Sequence, residues 1–142
     1  MTVPSAIVWQ NGVLKLLDQR ALPHTVNYLT ITDTEAAITA IRTLAVRGAP
    51  AIGIAAAYAL VVTMARIPGL QGADFIARVT ALAADLRRAR PTAVNLAWAV
   101  NRICARAARE PVLDAIRDEA EAIHAEDRRL CRGIGEQGRA LI

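Results

Sequence analysis

At 142 residues, 54% of them apolar, the chain is long enough for one domain with a real core and too apolar to remain disordered. Its formal charge of +4 rests on 16 arginines and a single lysine, Lys15, against 13 acidic residues. The arginines are scattered apart from the pairs Arg87/Arg88 and Arg128/Arg129, and only five aromatic residues are available to stack on bases, so no nucleic-acid partner is expected.

Cys104 and Cys131 are too few for a disulfide framework and form no Cys-x-x-Cys pair, which suits a reducing cytoplasm. No basic region precedes an apolar run at the N-terminus, so it does not read as a secretory signal. The uncharged stretch from Gly48 to Ala65 approaches the ~20 residues of a membrane span, yet it is rich in alanine and poor in large apolar side chains. It reads as a buried core helix, and no membrane partner is expected.

In chain order, Ala6 to Gln10 and Val13 to Asp18 flank Asn11-Gly12, the dipeptide that suits a type I′ turn, and predict a β-hairpin. A third strand is expected from Thr25 to Ile31, after the break at Leu22-Pro23. Thr32-Asp33-Thr34-Glu35 has the spacing of a capping box, with Thr32 as N-cap, and Ile38, Ile41 and Ala45 keep one face of the following helix apolar.

A helix from Pro50 to Arg66 is apolar nearly all round, which places it at the centre of the core. Ala49, Gly53 and Ala57 form a flat ridge on it where another helix can approach. From about Asp74 to Ala89 a further helix carries Phe75, Val79, Leu82 and Leu86 on one stripe. Arg90-Pro91 opens a helix expected from Thr92 to Arg109. A long helix from Pro111 aligns Leu113, Ile116, Ala120, Ile123, Leu130 and Ile134, interrupted by Asp127, with Gly133, Gly135 and Gly138 loosening its end.

The strongest chemical signal is Val46-Arg47-Gly48-Ala49-Pro50-Ala51-Ile52-Gly53, one arginine on a small-residue turn that opens into an apolar helix. Gly48 can take backbone conformations closed to other residues, and Pro50 suits a first helical position because it has no N–H to leave unpaired. The N–H groups left free there, with the positive end of the helix dipole, favour a phosphate or carboxylate. The same pattern also fits a plain helix connection with a solvated arginine. Arg90-Pro91-Thr92 repeats the arrangement and makes a second possible anion contact.

The remaining reactive side chains give less. His124 and Cys131, seven residues apart on one predicted helix face, supply two metal ligands where zinc needs three or four, so no metal is predicted. His24 has no acid or nucleophile near it in sequence, and Cys104 lies between apolar neighbours as a small core side chain. Asp18 suits a turn-forming role. No Ser/His/Asp or Cys/His arrangement is present.

Val46 to Gly53 followed by Ala56-Ala57-Tyr58 resembles the signature of the S-methyl-5-thioribose-1-phosphate isomerase family. Leu17-Asp18-Gln19-Arg20-Ala21-Leu22-Pro23 resembles the family's N-terminal strand and turn, and Arg90-Pro91-Thr92-Ala93-Val94-Asn95-Leu96 its second motif. The family groups with the alpha, beta and delta subunits of the initiation-factor exchange complex and with ribose-1,5-bisphosphate isomerases.

The resemblance implies an α+β, mainly helical N-terminal domain over residues 1–142, with a small antiparallel sheet over 1–31 and a helical bundle over 32–142. It implies that the Rossmann-like C-terminal domain of the family, with its catalytic cysteine and aspartate, is lacking. No catalytic residue is therefore expected here, neither Cys104 nor Cys131.

The activity implied is an aldose–ketose isomerisation in methionine salvage, from 5-methylthioribose 1-phosphate to its ribulose isomer, with these residues inactive alone. Arg47, Gly48, Ala49 and Arg90 carry over as substrate-binding residues. The resemblance implies no metal or organic cofactor, a phosphorylated sugar as partner, a homodimer for the full-length protein and a cytoplasmic location. The alternatives are a ribose-1,5-bisphosphate isomerase-like enzyme and a non-catalytic module like the exchange-factor subunits, in which the arginine-glycine-alanine-proline turn is not expected.

Overall fold

The computed structural model describes residues 2–142, with a three-stranded antiparallel sheet ahead of five helices around a shared apolar core. Strands β1 (Ile7–Gln10) and β2 (Val13–Leu17) pair through the Asn11-Gly12 turn, with Gln10 opposite Val13. Both turn residues have positive φ, 52° and 75°, as a type I′ turn demands. Strand β3 (Tyr28–Ile31) pairs with the other edge of β2, which makes β2 central, and Leu14 and Leu16 are fully buried.

The third strand is shorter than its sequence indicates. Asp18 N–H donates to the Asn27 carbonyl at 2.8 Å, in register with the β2–β3 pairs, and is the last bond across the two strands; ahead of it Thr25 N–H donates to the Ala21 carbonyl at 3.0 Å and closes a turn instead. Asp18 has the turn-forming role expected of it: its carboxylate accepts from the Arg20 amide at 3.1 Å and from the Arg20 guanidinium at 2.7 and 2.8 Å.

Helix α1 (Thr34–Arg42) starts without the capping box. Asp33, not Thr32, is the N-cap, and its carboxylate accepts from Ala36 N–H at 2.8 Å. An aspartate caps as well as a threonine and adds its charge at the positive end of the dipole, which accounts for the shift by one residue.

Helix α2 (Ala49–Ala65) is the centre of the core: every residue from Ile52 to Met64 is buried, against α1 and β2 and against the three helices that follow. Among the described residues no helix is long and apolar enough to cross a membrane. Helix α3 (Gly72–Ala89) begins two residues ahead of Asp74 and buries the expected stripe of Phe75, Val79, Leu82 and Leu86. Helix α4 (Val94–Arg109) begins two residues after Thr92. Pro91 keeps Arg90 out of the helical region (φ −145°, ψ 86°), and a turn closed by Ala93 N–H to the Arg90 carbonyl, 3.0 Å, must form first.

Helix α5 (Leu113–Arg139) runs unbroken through Gly133, Gly135 and Gly138, where loosening was expected. A helical glycine costs ~1 kcal/mol relative to alanine but keeps its place in the hydrogen-bond ladder, so three of them weaken this end without ending it. Ile116, Ala120 and Ile123 are buried, whereas Leu130 and Ile134 on the same stripe are 67% and 72% exposed.

Polar contacts lock these layers. The Arg102 guanidinium of α4 donates to Glu126 of α5 at 2.6 and 2.7 Å and to Glu119, and Arg106 reaches Glu119 at 3.6 Å. Trp9 of β1 stacks on Tyr58 of α2 at 4.6 Å and donates its indole N–H to Glu121 of α5 at 2.9 Å, tying the sheet to two helices.

Candidate functional site

The turn between α1 and α2 is anchored on its inner side and open on its outer side. Ala45 and Val46 are fully buried, and the N–H groups of both reach the Ala40 carbonyl, at 2.9 and 3.3 Å. The Ala45 carbonyl accepts from Gln19 N–H at 2.9 Å, which joins the turn to the end of β2. Leu44 takes φ 61°, a left-handed helix ending usually made by glycine. From Arg47 the chain emerges: Arg47, Gly48, Ala49 and Pro50 are all exposed.

Gly48 is the N-cap of α2, with φ 94° and ψ 131°, and no side chain caps the helix. A Cβ at Gly48 would meet nothing within 4 Å, so the requirement for glycine is conformational rather than spatial. Pro50 is the second helical residue, one later than its sequence indicates, because Ala49 already belongs to the helix. The first intrahelical bond is Ile52 N–H to the Gly48 carbonyl, 3.0 Å. Gly48, Ala49 and Ala51 are thereby left with amides that have no intrahelical acceptor.

Helix α4 also starts without a side-chain cap, at Ala93. Its first intrahelical bond is Ala97 N–H to the Ala93 carbonyl, 3.2 Å, which leaves the amides of Val94, Asn95 and Leu96 without intrahelical acceptors. Gly53 brings the two starts together. A Cβ there would lie 2.7 Å from the Asn95 carbonyl oxygen and 3.3 Å from Ala99 Cβ, so the backbones of α2 and α4 touch within a turn or two of both N-termini. That contact gives the small-residue ridge its purpose.

Beside this contact lies an open groove of about 440 Å³. Pro50 and Ile54 line it from α2, Val94 and Trp98 from α4, and Asp127 and Leu130 from α5. Neither Arg47 nor Arg90 lines this groove. Arg90 is half-buried in a separate depression of about 340 Å³, with Arg87, Arg88 and Pro91. Among the described residues, neither arginine takes part in an ion pair.

The other reactive side chains are held in structural roles. His124 is buried, with Nδ1 3.0 Å from the Tyr58 hydroxyl, and burial pushes its pKa below the ordinary value. Burial raises the Tyr58 hydroxyl to about 12. Cys131 is exposed beside Asp127, so it and His124 share no site despite their spacing. Burial also raises the Cys104 thiol, which keeps it protonated and a poor nucleophile. Among the described residues, no group of three or more His, Cys, Asp or Glu side chains is placed to hold a metal ion.

Residues 45–142, which hold both helix starts and the groove, match the model of the initiation factor 2 subunit family. The chain belongs to that family. Within it, the chain is 42% identical to a methylthioribose-1-phosphate isomerase of Desulforamulus reducens, over 97% of this chain and 42% of that protein. It is 49% identical to one of Gemmatimonas aurantiaca, over 96% of this chain and 41% of that protein. The chain thus spans about two-fifths of the length of these relatives.

Two crystal structures share its fold. Translation initiation factor eIF-2B, subunit delta, from A. fulgidus superimposes with a TM-score of 0.84 at 34% identity, over 96% of this chain and 41% of that one. The 5-methylthioribose 1-phosphate isomerase from Pyrococcus horikoshii gives 0.79 at 32% identity, over 87% and 36%. The sheet-then-helices architecture and the family read from the Val46 to Gly53 turn both agree with these findings. The groove was not read from sequence. Asn95 belongs to the second motif, but Trp98 and Leu130 look like ordinary apolar positions until their exposure is known.

Proposed function

We propose that these residues form the substrate-binding N-terminal part of a methylthioribose-1-phosphate isomerase, which converts 5-methylthioribose 1-phosphate to 5-methylthioribulose 1-phosphate. The observation that carries this reading is the convergence of two uncapped helix starts, each preceded by an arginine, in a chain 42–49% identical to relatives bearing that name. The phosphate is held by Arg47 and the free amides of Gly48 and Ala49, with Arg90 closing from the start of α4. A charge-assisted hydrogen bond of this kind is worth about 1.5–3 kcal/mol.

Phosphate on the anomeric oxygen prevents free opening of the sugar ring. The enzyme must open it and then move hydrogen between C2 and C1, in a pocket from which water is kept. The wall of α2 serves that exclusion, and the reacting groups come from residues other than these. The working protein is a cytoplasmic homodimer, and the 142 residues alone are inactive.

The test is a chimera in which these 142 residues replace the matching stretch of the Gemmatimonas aurantiaca relative. Turnover of 5-methylthioribose 1-phosphate is expected, and a folded chimera without turnover overturns the proposal. The likeness to the delta subunit of eIF-2B favours a second reading, a non-catalytic assembly module. Thermal melting separates the two, because only a ligand bound by the folded state raises its stability: 5-methylthioribose 1-phosphate raises the melting temperature of the chimera under the first reading and leaves it unchanged under the second.

A further inference from the structure

The groove beside the helix starts differs in charge from the turn it adjoins. Its ionisable lining groups are Glu126 and Asp127, both acidic. Glu126 is engaged by Arg102, whose guanidinium also holds its carboxyl below the usual range, while Asp127 takes part in no ion pair among the described residues and accepts from the Cys131 thiol at 4.0 Å. Ile54, Val94, Trp98 and Leu130 make the rest of the wall apolar. Such a groove repels a phosphate and accepts a neutral, apolar group, whereas the free amides and Arg47 one turn away do the reverse.

With the isomerase reading as its basis, we propose that this groove receives the 5-methylthio group of the substrate and sets the preference for it. Pro50 and Ile54 are separated by about 6 Å along α2 at 1.5 Å per residue, which brings the groove wall within reach of one sugar whose phosphate sits at the helix start. Trp98 is the main contact. Half its surface is exposed, and the Arg102 guanidinium, itself held by Glu119 and Glu126, lies over its ring, 5.5 Å from the centroid. A polarisable thioether sulfur packs favourably against an aromatic ring. Leu130, 67% exposed, closes the opposite wall from α5.

The experiment compares kcat/KM of the chimera for 5-methylthioribose 1-phosphate and for 5-deoxyribose 1-phosphate, which lacks the thioether. Apolar pockets discriminate by about 10–200-fold for a single missing methylene and the comparison compound lacks both the sulfur and its methyl, so Trp98→Ala is expected to narrow the preference about tenfold or more. Leu130→Ser, at an exposed position that the fold does not depend on, narrows it in the same direction by less. Arg47→Ala lowers both substrates alike and keeps their ratio. An unchanged ratio in both groove variants, with turnover retained, overturns the groove assignment and leaves the isomerase reading standing. Absence of turnover of either compound by the unsubstituted chimera overturns both.

Discussion

At the start of α2, Gly48 caps the helix with φ 94° and three amides are left without intrahelical acceptors; at the start of α4, Ala93 caps in an ordinary extended conformation and its own amide is bonded to the Arg90 carbonyl. Both turns place an arginine shortly before a proline. The first depends on a backbone conformation that only glycine adopts without strain, while the second depends on what Pro91 imposes on Arg90, whose φ of −145° any residue can take. Similar sequences thus give an exposed arginine in one turn and a half-buried one in the other. The first turn is the more sensitive to substitution, and the second is the easier to improve.

The largest effect is expected where the two turns meet. Gly53→Val puts a Cβ 2.7 Å from the Asn95 carbonyl oxygen, a contact with rigid backbone on both sides, and should cost about 3 kcal/mol or more in chemical denaturation. Gly48→Val tests the first turn alone. It meets no neighbour, so its cost is the positive φ, about 1–3 kcal/mol, and it should also weaken substrate binding by displacing the Ala49 amide.

Ala93→Ser tests the second turn in the opposite sense. A serine N-cap satisfies a free amide of α4 and should add about 0.5–2 kcal/mol of stability while raising KM, because the side chain competes with the phosphate for that amide. A gain in stability without a change in KM would separate α4 from the site.

The smallest effect lies at the sheet–helix junction. His124 faces Tyr58 of α2, with Glu121, Asp127 and Arg128 on its own helix and Trp9 across from β1. Burial holds its pKa below the ordinary 6.5, so the unfolded chain takes up the proton first. This contribution to stability is complete above about pH 6.5 and is lost as pH falls through the depressed value. Melting temperatures measured from about pH 7.5 down to 5 should fall, and His124→Gln should flatten that slope.

Much of the fold was legible from local chemistry. Asn11-Gly12 dictated the hairpin, and the uncharged alanine-rich run dictated a helix buried on all sides. What failed was the placement of ends. Asp33 outcompetes Thr32 as a cap, Pro91 delays α4 by two residues, and the glycines of α5 do not end the helix. Of the proposed substrate-binding residues, Arg47 and Gly48 stood out through a rare residue combination. The groove did not, because Trp98 and Leu130 become notable only through exposure, and exposure is set by how α4 and α5 cross rather than by either segment's sequence.

The central claim is that both turns serve one phosphorylated sugar, although neither Arg47 nor Arg90 lines the groove and Arg90 lies in a separate depression. Its most direct test is kcat/KM of the chimera for 5-methylthioribose 1-phosphate with Arg47→Ala, Arg90→Ala and both together. Each single substitution should lower kcat/KM about tenfold or more, the loss of one charge-assisted hydrogen bond, and the double variant should depart from the product of the two because they share a ligand. Single variants that turn over like the unsubstituted chimera would contradict the account.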